Sequence, residues 1–423
     1  MEKDSGGYIE YLSKDTIMKN SDRKKDFVIT SLQHWDTPIG TTMKNTALEI
    51  SKKNRVLYLS TPLDYISWCR YRNSEENRYR IQVLKGKAPE VRQINDNMWV
   101  VDCPFLLHSV SKLPFKWLFD SFNKKNNRKI ADQIARYARE LDFKDYILFM
   151  DNDIFRSFYL KDFLTPQLSI YYRRDYLLTN PYWKRYGVGC EAELIRKSDI
   201  ALANSLYFAD EIRIHNSNTF DIETGVNLEI YDSSKSYEEP EDMKDIPHPI
   251  VGYTGALVKI RIDEEFLLHA AVSRPQYSFV LVGPEDGFYK TSKLHNLPNV
   301  YFLGKKQVEE LPAYITVFDV CINPQIVNRI TIGNYPLKID EYLAMGKPVV
   351  ATRTETMLHI FKNYTYLAEC AEKFVSLLDQ AMNDVCDSEK RDEAIRFGRS
   401  HSWENSVNKI YNIIDNYFES KGR

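Results

Sequence analysis

The chain has 423 residues, 43% hydrophobic and 27% charged, with a formal net charge of −2. This exceeds what one core usually organises, so two domains of roughly 200 residues each are expected, and the near-neutral balance excludes a global field that would recruit nucleic acid. Six scattered cysteines (Cys69, Cys103, Cys190, Cys321, Cys370, Cys386) have no CxxC spacing, which points to free thiols in a reducing compartment rather than a zinc knuckle or disulfide framework.

The first 25 residues read as a polar tail without an apolar signal core. From residue 26, short apolar runs alternate with longer amphipathic ones. FVITSL (27–32), RVLYLS (55–60), MWVVDCP (98–104), YILFM (146–150), LSIYY (168–172) and DIALANS (199–205) have the pattern of buried parallel strands. The intervening 41–54 and 128–142 have helical spacing. Strand–helix alternation predicts a doubly wound α/β domain over 26–230. The stretch 231–249 (YDSSKSYEEPEDMKDIPHP) is acidic, rich in Ser and Pro and poor in apolar residues, so it reads as a linker.

Alternation restarts over 250–400, with strands IVGYTG (250–255), YSFVLVG (277–283), VYFLG (300–304), VCINP (320–324) and KPVVAT (347–352). A last periodic segment, 403–418, predicts a helix within a closing 401–423 stretch. Two such domains face across a cleft, and ligands of open α/β sheets bind beyond the carboxyl ends of the strands.

One helix stands at such an end. In NYPLKIDEYLAMGKPVVAT (334–352), Pro336 suits a first helical turn, and Lys338 and Glu341 lie three apart on one face. A helix N-terminus with a lysine favours a diphosphate, and a carboxylate one turn on accepts a ribose diol. By itself the pair reads as a surface ion pair; its place between two strand ends favours a nucleotide site.

The segment 336–352 resembles the donor-site signature of GT-B glycosyltransferases of the group 1 and 4 type. VGYTGAL (251–257) is similar to the glycine loop of their C-terminal domain, and 297–324 to the stretch that cradles the base. The resemblance is looser in EAELIRKSDIALANSLYFAD (191–210) and IETGVNLEIY (222–231). It implies a GT-B fold: two Rossmann-like doubly wound domains facing across a cleft, the C-terminal helix returning to the N-terminal domain. It implies that Glu341 binds the ribose, that Lys338 with Lys259 or Arg261 after Gly255 contacts the diphosphate, and that Gly304 and Asn323 belong to the nucleotide site. Many retaining members carry a second Glu eight positions before the ribose Glu, where this chain has Gly333. Inverting exopolysaccharide transferases of the xanthan glucuronosyltransferase type also lack it, and the HWD (34–36) and YYRRDY (171–176) segments resemble that branch.

Inverting transfer needs a base opposite the leaving nucleotide. Asp175 after LSIYYRR, then Asp36, then His34 are the candidates, and Glu193 is a candidate acceptor contact. Asp151 and Asp153 in FMDNDIF form a D-x-D pattern, a minor metal reading because the donor helix already supplies positive charge and no essential metal is expected. The segment 111–130 holds six basic residues and one acidic one among aromatics. Lys112, Phe115, Lys116, Trp117, Lys124, Lys125, Arg128 and Lys129 suit the interface of an anionic membrane, an ordinary amphipathic helix being the competing reading.

The expected function is sugar transfer from a UDP- or GDP-sugar to a glycan, carried on a lipid, in bacterial surface polysaccharide biosynthesis. The expected place is cytoplasmic, peripheral to the inner leaflet, with no nucleic-acid partner. A nucleotide-sugar 2-epimerase and a non-catalytic nucleotide-sugar-binding subunit are the alternatives.

Overall fold

The computed structural model describes residues 24–37 and 41–422, so most of the polar tail lies outside it. Two sheets organise the chain. The first contains β1 (Asp26–Ser31), β2 (Arg55–Leu59), β3 (Val91–Asn95), β4 (Met98–Val101), β5 (Ile147–Asp151), β6 (Leu168–Arg173), β7 (Ile200–Ala203) and β8 (Thr219–Asp221). Their order is β3-β4-β2-β1-β5-β6-β7-β8, parallel except for the edge pair β3–β4. The second contains β9 (Ile250–Thr254), β10 (Ser278–Val282), β11 (Val300–Gly304), β12 (Val320–Asn323), β13 (Val349–Thr352) and β14 (Tyr366–Ala368). It runs β11-β10-β9-β12-β13-β14, all parallel.

The central strands bury both faces, which is why they read as continuous apolar runs. β1, β5 and β6 are buried along their whole length. β3, β8 and β14 escape the sequence reading for the opposite reason. They are short or polar edge strands, and β3 is half to fully exposed.

Strand order reverses direction between β1 and β5 in the first sheet and between β9 and β12 in the second. These are the switch points where open α/β sheets leave a crevice. Loops at the carboxyl ends of the two sheets face each other: Ser205 Oγ, after β7, donates to the Gly333 carbonyl, after β12, at 2.6 Å, and Arg261, after β9, lies 3.7 Å from Asp175, after β6.

The 231–249 segment is not a free tether. Tyr231, Met243 and Ile246 are buried in the second lobe's core with Val280, Val282 and Tyr314. The few apolar residues among its acidic ones are what anchor it. The chain returns at 400–403 beside this first crossing, where the Val226 N–H donates to the His401 carbonyl at 2.7 Å. A Cβ on Gly225 would stand 2.3 Å from the Trp403 nitrogen, so the two crossings pack backbone on backbone. The last helix, Trp403–Ser420, is capped by Ser402, and its Val407, Ile410 and Ile414 pack into the first lobe beside Phe27, Ile29 and Met43. Burial of each such side chain contributes on the order of 2 kcal/mol. The C-terminal helix thus ties the two lobes together.

Candidate functional site

The helix that carries Lys338 and Glu341 spans Leu337–Ala344, with Pro336 as its cap rather than its first residue. It is fixed to the end of β9, because the Tyr342 hydroxyl accepts from the Thr254 N–H at 2.8 Å. Lys338 Nζ donates to the Tyr253 hydroxyl at 3.2 Å and sits 4.7 Å from that ring's centroid. Beside it the backbone is bare. Gly255 has a φ of 137°, a region open to glycine but strained for other residues. A Cβ on Gly255 would lie 3.2 Å from Lys338 Nζ, and one on Gly283 would lie 1.9 Å from the Gly255 carbonyl oxygen. Two facing glycine turns with an ammonium over them form a cradle suited to a phosphate.

Glu341 follows one turn later. Burial pushes its carboxyl up to about 7, against the pull of Lys338 and Tyr231, while Asp340 adds to the rise. A carboxylate this poorly solvated gains from hydroxyl donors. Sequence reasoning missed Tyr231, whose buried hydroxyl faces Glu341.

Buried polar atoms without hydrogen-bond partners mark the rest of the cleft. Both side-chain amide atoms of Asn323 and Gln325 Oε1 are unpaired at the β9/β12 switch point. Gln33 Oε1 and His34 Nδ1 are unpaired after β1, and Asn204 Oδ1 after β7. Such groups are ordinarily satisfied. Their gathering at strand ends of both lobes is consistent with a polar ligand there.

The acid–base candidates differ in their surroundings. Asp36 is clamped by Arg92 through two contacts of 2.9 Å, and Arg92 also holds Asp102 at 2.8 Å. That clamp engages both carboxylate oxygens of Asp36, the second base candidate. Asp175 faces Arg174 at 3.6 Å and Arg261 at 3.7 Å without a hydrogen bond to either. Burial chiefly, with Arg80 nearby, pulls the His34 imidazole down to about 4 despite Asp36, so it is neutral near pH 7. Glu193 is an exposed residue paired with Arg196 on its own helix. The buried glutamate of that helix is Glu191, which accepts from the Tyr171 hydroxyl at 3.0 Å.

Of the remaining nucleotide candidates, Lys259 lies over the Phe288 ring at 4.4 Å. Gly304 ends β11 at a φ of 67°, with open space at its Cβ position. The D-x-D residues are committed elsewhere: Asp151 to Arg174 at 2.5 Å and to Ser31 at 2.7 Å, Asp153 to Arg156 at 3.1 Å. Among the described residues no group of three or more His, Cys, Asp or Glu side chains is placed to hold a metal.

The basic–aromatic segment divides. Phe119 is buried and Phe122 packs beside it, as an amphipathic helix would place them. Phe115 and Trp117 instead stand 58% and 67% exposed, their rings near-parallel at 6.4 Å. Lys116 pairs with Asp120, Arg128 covers the Phe163 ring at 3.7 Å, Lys125 and Lys124 lie over Phe122 and Tyr159, and Lys129 reaches the Leu106 carbonyl. Lys112 is exposed beside them. No helix of the described residues is long and apolar enough to cross a membrane.

Two facing doubly wound lobes, joined by adjacent crossings and closed by a returning helix, define the GT-B fold. The second lobe is more specific: residues 248–384 match the sequence model of the family described as glycosyl transferases group 1. TuaH of Bacillus subtilis (strain 168), which carries the name of a teichuronic acid biosynthesis glycosyltransferase, is 25% identical over 229 residues. That match covers 50% of this chain and 56% of TuaH, so the chain spans about half the length of this curated relative. Sucrose-phosphate synthase from Thermosynechococcus elongatus superposes with a TM-score of 0.61 at 15% identity, over 94% of this chain and 100% of the other. Anabaena HepE in complex with UDP and glucose does so with a TM-score of 0.60 at 12% identity, over 93% and 100%.

Proposed function

We propose that this chain is a nucleotide-sugar-dependent glycosyltransferase that transfers a hexosyl group from a UDP- or GDP-sugar to a glycan of a bacterial surface polysaccharide. The observation that carries the reading is the single helix that sets Lys338 beside the Gly255–Gly283 cradle and holds Glu341, half-buried and poorly solvated, one turn further. The names of TuaH and of the HepE complex, polysaccharide synthesis in one and UDP with glucose in the other, agree with it.

In this reading the diphosphate lies on the two glycine turns under Lys338, and the ribose hydroxyls donate to Glu341. Asn323 and Gln325 supply amide groups to the bound donor. The acceptor hydroxyl attacks the sugar's anomeric carbon, the bond to the diphosphate breaks, and that electron pair leaves with the nucleotide. A base on the first lobe takes the hydroxyl proton; Asp175 is favoured and the neutral His34 is second. No metal step is required where Lys338 and the helix end stabilise the leaving charge.

Gly333 stands where many retaining relatives have a second glutamate, and a Cβ there would lie 2.3 Å from Tyr207. That crowding supports an inverting course. Exposed Phe115 and Trp117 beside Lys112 and Lys116 suit an acceptor presented on a lipid at an anionic cytoplasmic membrane surface.

Thermal melts with UDP, GDP, ADP and their sugars test the donor site, since a ligand that binds only the folded state raises the midpoint. One nucleoside diphosphate is expected to raise it in the parent and not in Lys338→Ala. Equal shifts in both would refute the site. Release of a free epimerised sugar would instead identify an epimerase, and binding without any turnover a non-catalytic subunit.

A further inference from the structure

Asp175 and Arg261 come from different lobes and meet across the cleft at 3.7 Å. We propose that this ion pair is a donor-operated switch: the diphosphate of the incoming nucleotide-sugar takes Arg261 from Asp175, and the released carboxylate then accepts the acceptor's proton. The inference rests on the donor site proposed above and adds to it how donor binding arms the base.

The pair is built to exchange. Its distance exceeds hydrogen-bond range, and its side chains are 40% and 32% exposed, so it is a weak, solvent-screened contact. Asp175's other cation is already committed, because Arg174 is buried and holds Asp151 through contacts of 2.5 and 3.2 Å. Arg261 is the partner that remains free to move. Its backbone is fixed: its N–H donates to the Val258 carbonyl, and its carbonyl accepts from Ile326, both at 2.9 Å. The side chain therefore swings from a rigid loop that leaves the Gly255 turn.

A diphosphate offers several anionic oxygens in a geometry the guanidinium fork matches, and so outcompetes one distant carboxylate. No lobe opening is needed. Ser205 stays bonded to the Gly333 carbonyl at 2.6 Å, and Arg329 stays paired with Glu211 at 2.5 Å. In the transfer step the acceptor oxygen–carbon bond forms, the carbon–phosphate oxygen bond breaks with its electrons going to the diphosphate, and the proton goes to Asp175.

The switch makes an unusual demand on binding. A residue that acts only as a base leaves nucleotide affinity unchanged when neutralised. Asp175 instead competes with the nucleotide for Arg261, so its removal should tighten binding. The probe is UDP or GDP, whichever binds the parent, in calorimetric titrations of the full chain at low and moderate salt. Asp175→Asn is expected to bind about threefold or more tightly, with the gain larger at low salt, and to lose transfer. Arg261→Gln is expected to bind about tenfold more weakly. The double variant should bind like Arg261→Gln alone, the Asp175 gain having vanished. Asp175→Ser repeats the test, and thermal melts confirm that each variant is folded.

Unchanged or weaker binding by both folded Asp175 variants would overturn the switch, as would a gain that persists without Arg261. Those outcomes leave the donor site standing if Lys338→Ala still abolishes binding. Failure of the parent to bind any nucleoside diphosphate would overturn both.

Discussion

Glu341→Gln tests the half-buried, desolvated carboxylate in two opposite directions at once. Burial raises this carboxyl from 4.5 to about 7 in the folded protein. The folded group binds its proton more tightly than the unfolded one, so its ionisation works against folding. Its stability contribution is fully present below pH 4.5 and is lost as pH rises through about 7. The rise corresponds to up to about 3 kcal/mol at high pH. Glutamine has the same shape and never ionises, so Glu341→Gln is expected to be more stable than the parent by up to about 3 kcal/mol at alkaline pH, and equal to it at acid pH. For a lobe of this size that is a midpoint shift on the order of 5–10 °C.

Nucleotide binding should move the other way. At pH 6 only about a tenth of a group titrating near 7 is ionised, so the parent's affinity should fall about tenfold from its alkaline value. The variant should bind weakly with a flat profile. Melts and titrations at pH 5, 6, 7 and 8.5 on both proteins provide the test. Parallel pH curves for parent and variant, in stability and in binding, would refute the picture of a desolvated carboxylate kept ionisable for a ribose.

Gly333→Glu restores the two-glutamate pattern, yet its Cβ would press within 2.3 Å of Tyr207 and 2.9 Å of Phe208. We expect lost stability of about 1–3 kcal/mol in urea melts and no activity gain, whereas a stable, more active variant would refute the packing account. His401 lies 2.9 Å from Asp340 and 3.6 Å from Glu223, between the Leu337–Ala344 helix and the lobe crossing. Burial pulls its imidazole down, but the bond to Asp340 and the charges of Asp340 and Glu223 outweigh that and raise it. Its stability is therefore fully present below the unfolded value near 6.5 and is lost as pH rises through the folded one. His401→Gln should destabilise by roughly 1–2 kcal/mol at pH 6 and by less at pH 9; an equal loss at both would remove the pair. Phe115→Ser with Trp117→Ser should abolish sedimentation with anionic liposomes while leaving melts unchanged, and undiminished sedimentation would show that this surface does not dock on lipid.

The sequence by itself determined the two-lobed alternation and the helix that carries Lys338 and Glu341. Fully buried parallel strands announce themselves as apolar runs, and Lys338 and Glu341 share a helix, where spacing along the chain fixes spacing in space. Asn323 and Gly255 were legible for a similar reason, since each ends a recognisable strand. The edge strands β3 and β14 were not, because VRQIN is mostly polar and YLA is too short to make an apolar run.

Only the tertiary structure decided which carboxylates are free. Arg92 reaches Asp36 from 56 residues away, Arg174 engages Asp151, and Arg261 meets Asp175 from the other lobe. The burial of Tyr231 against Glu341 and the exposure of Phe115 and Trp117, where Phe119 lies buried, were settled in the same way. Charge pairing and solvent access depend on distances that close only when remote strands are brought to one sheet edge, and no local pattern encodes them.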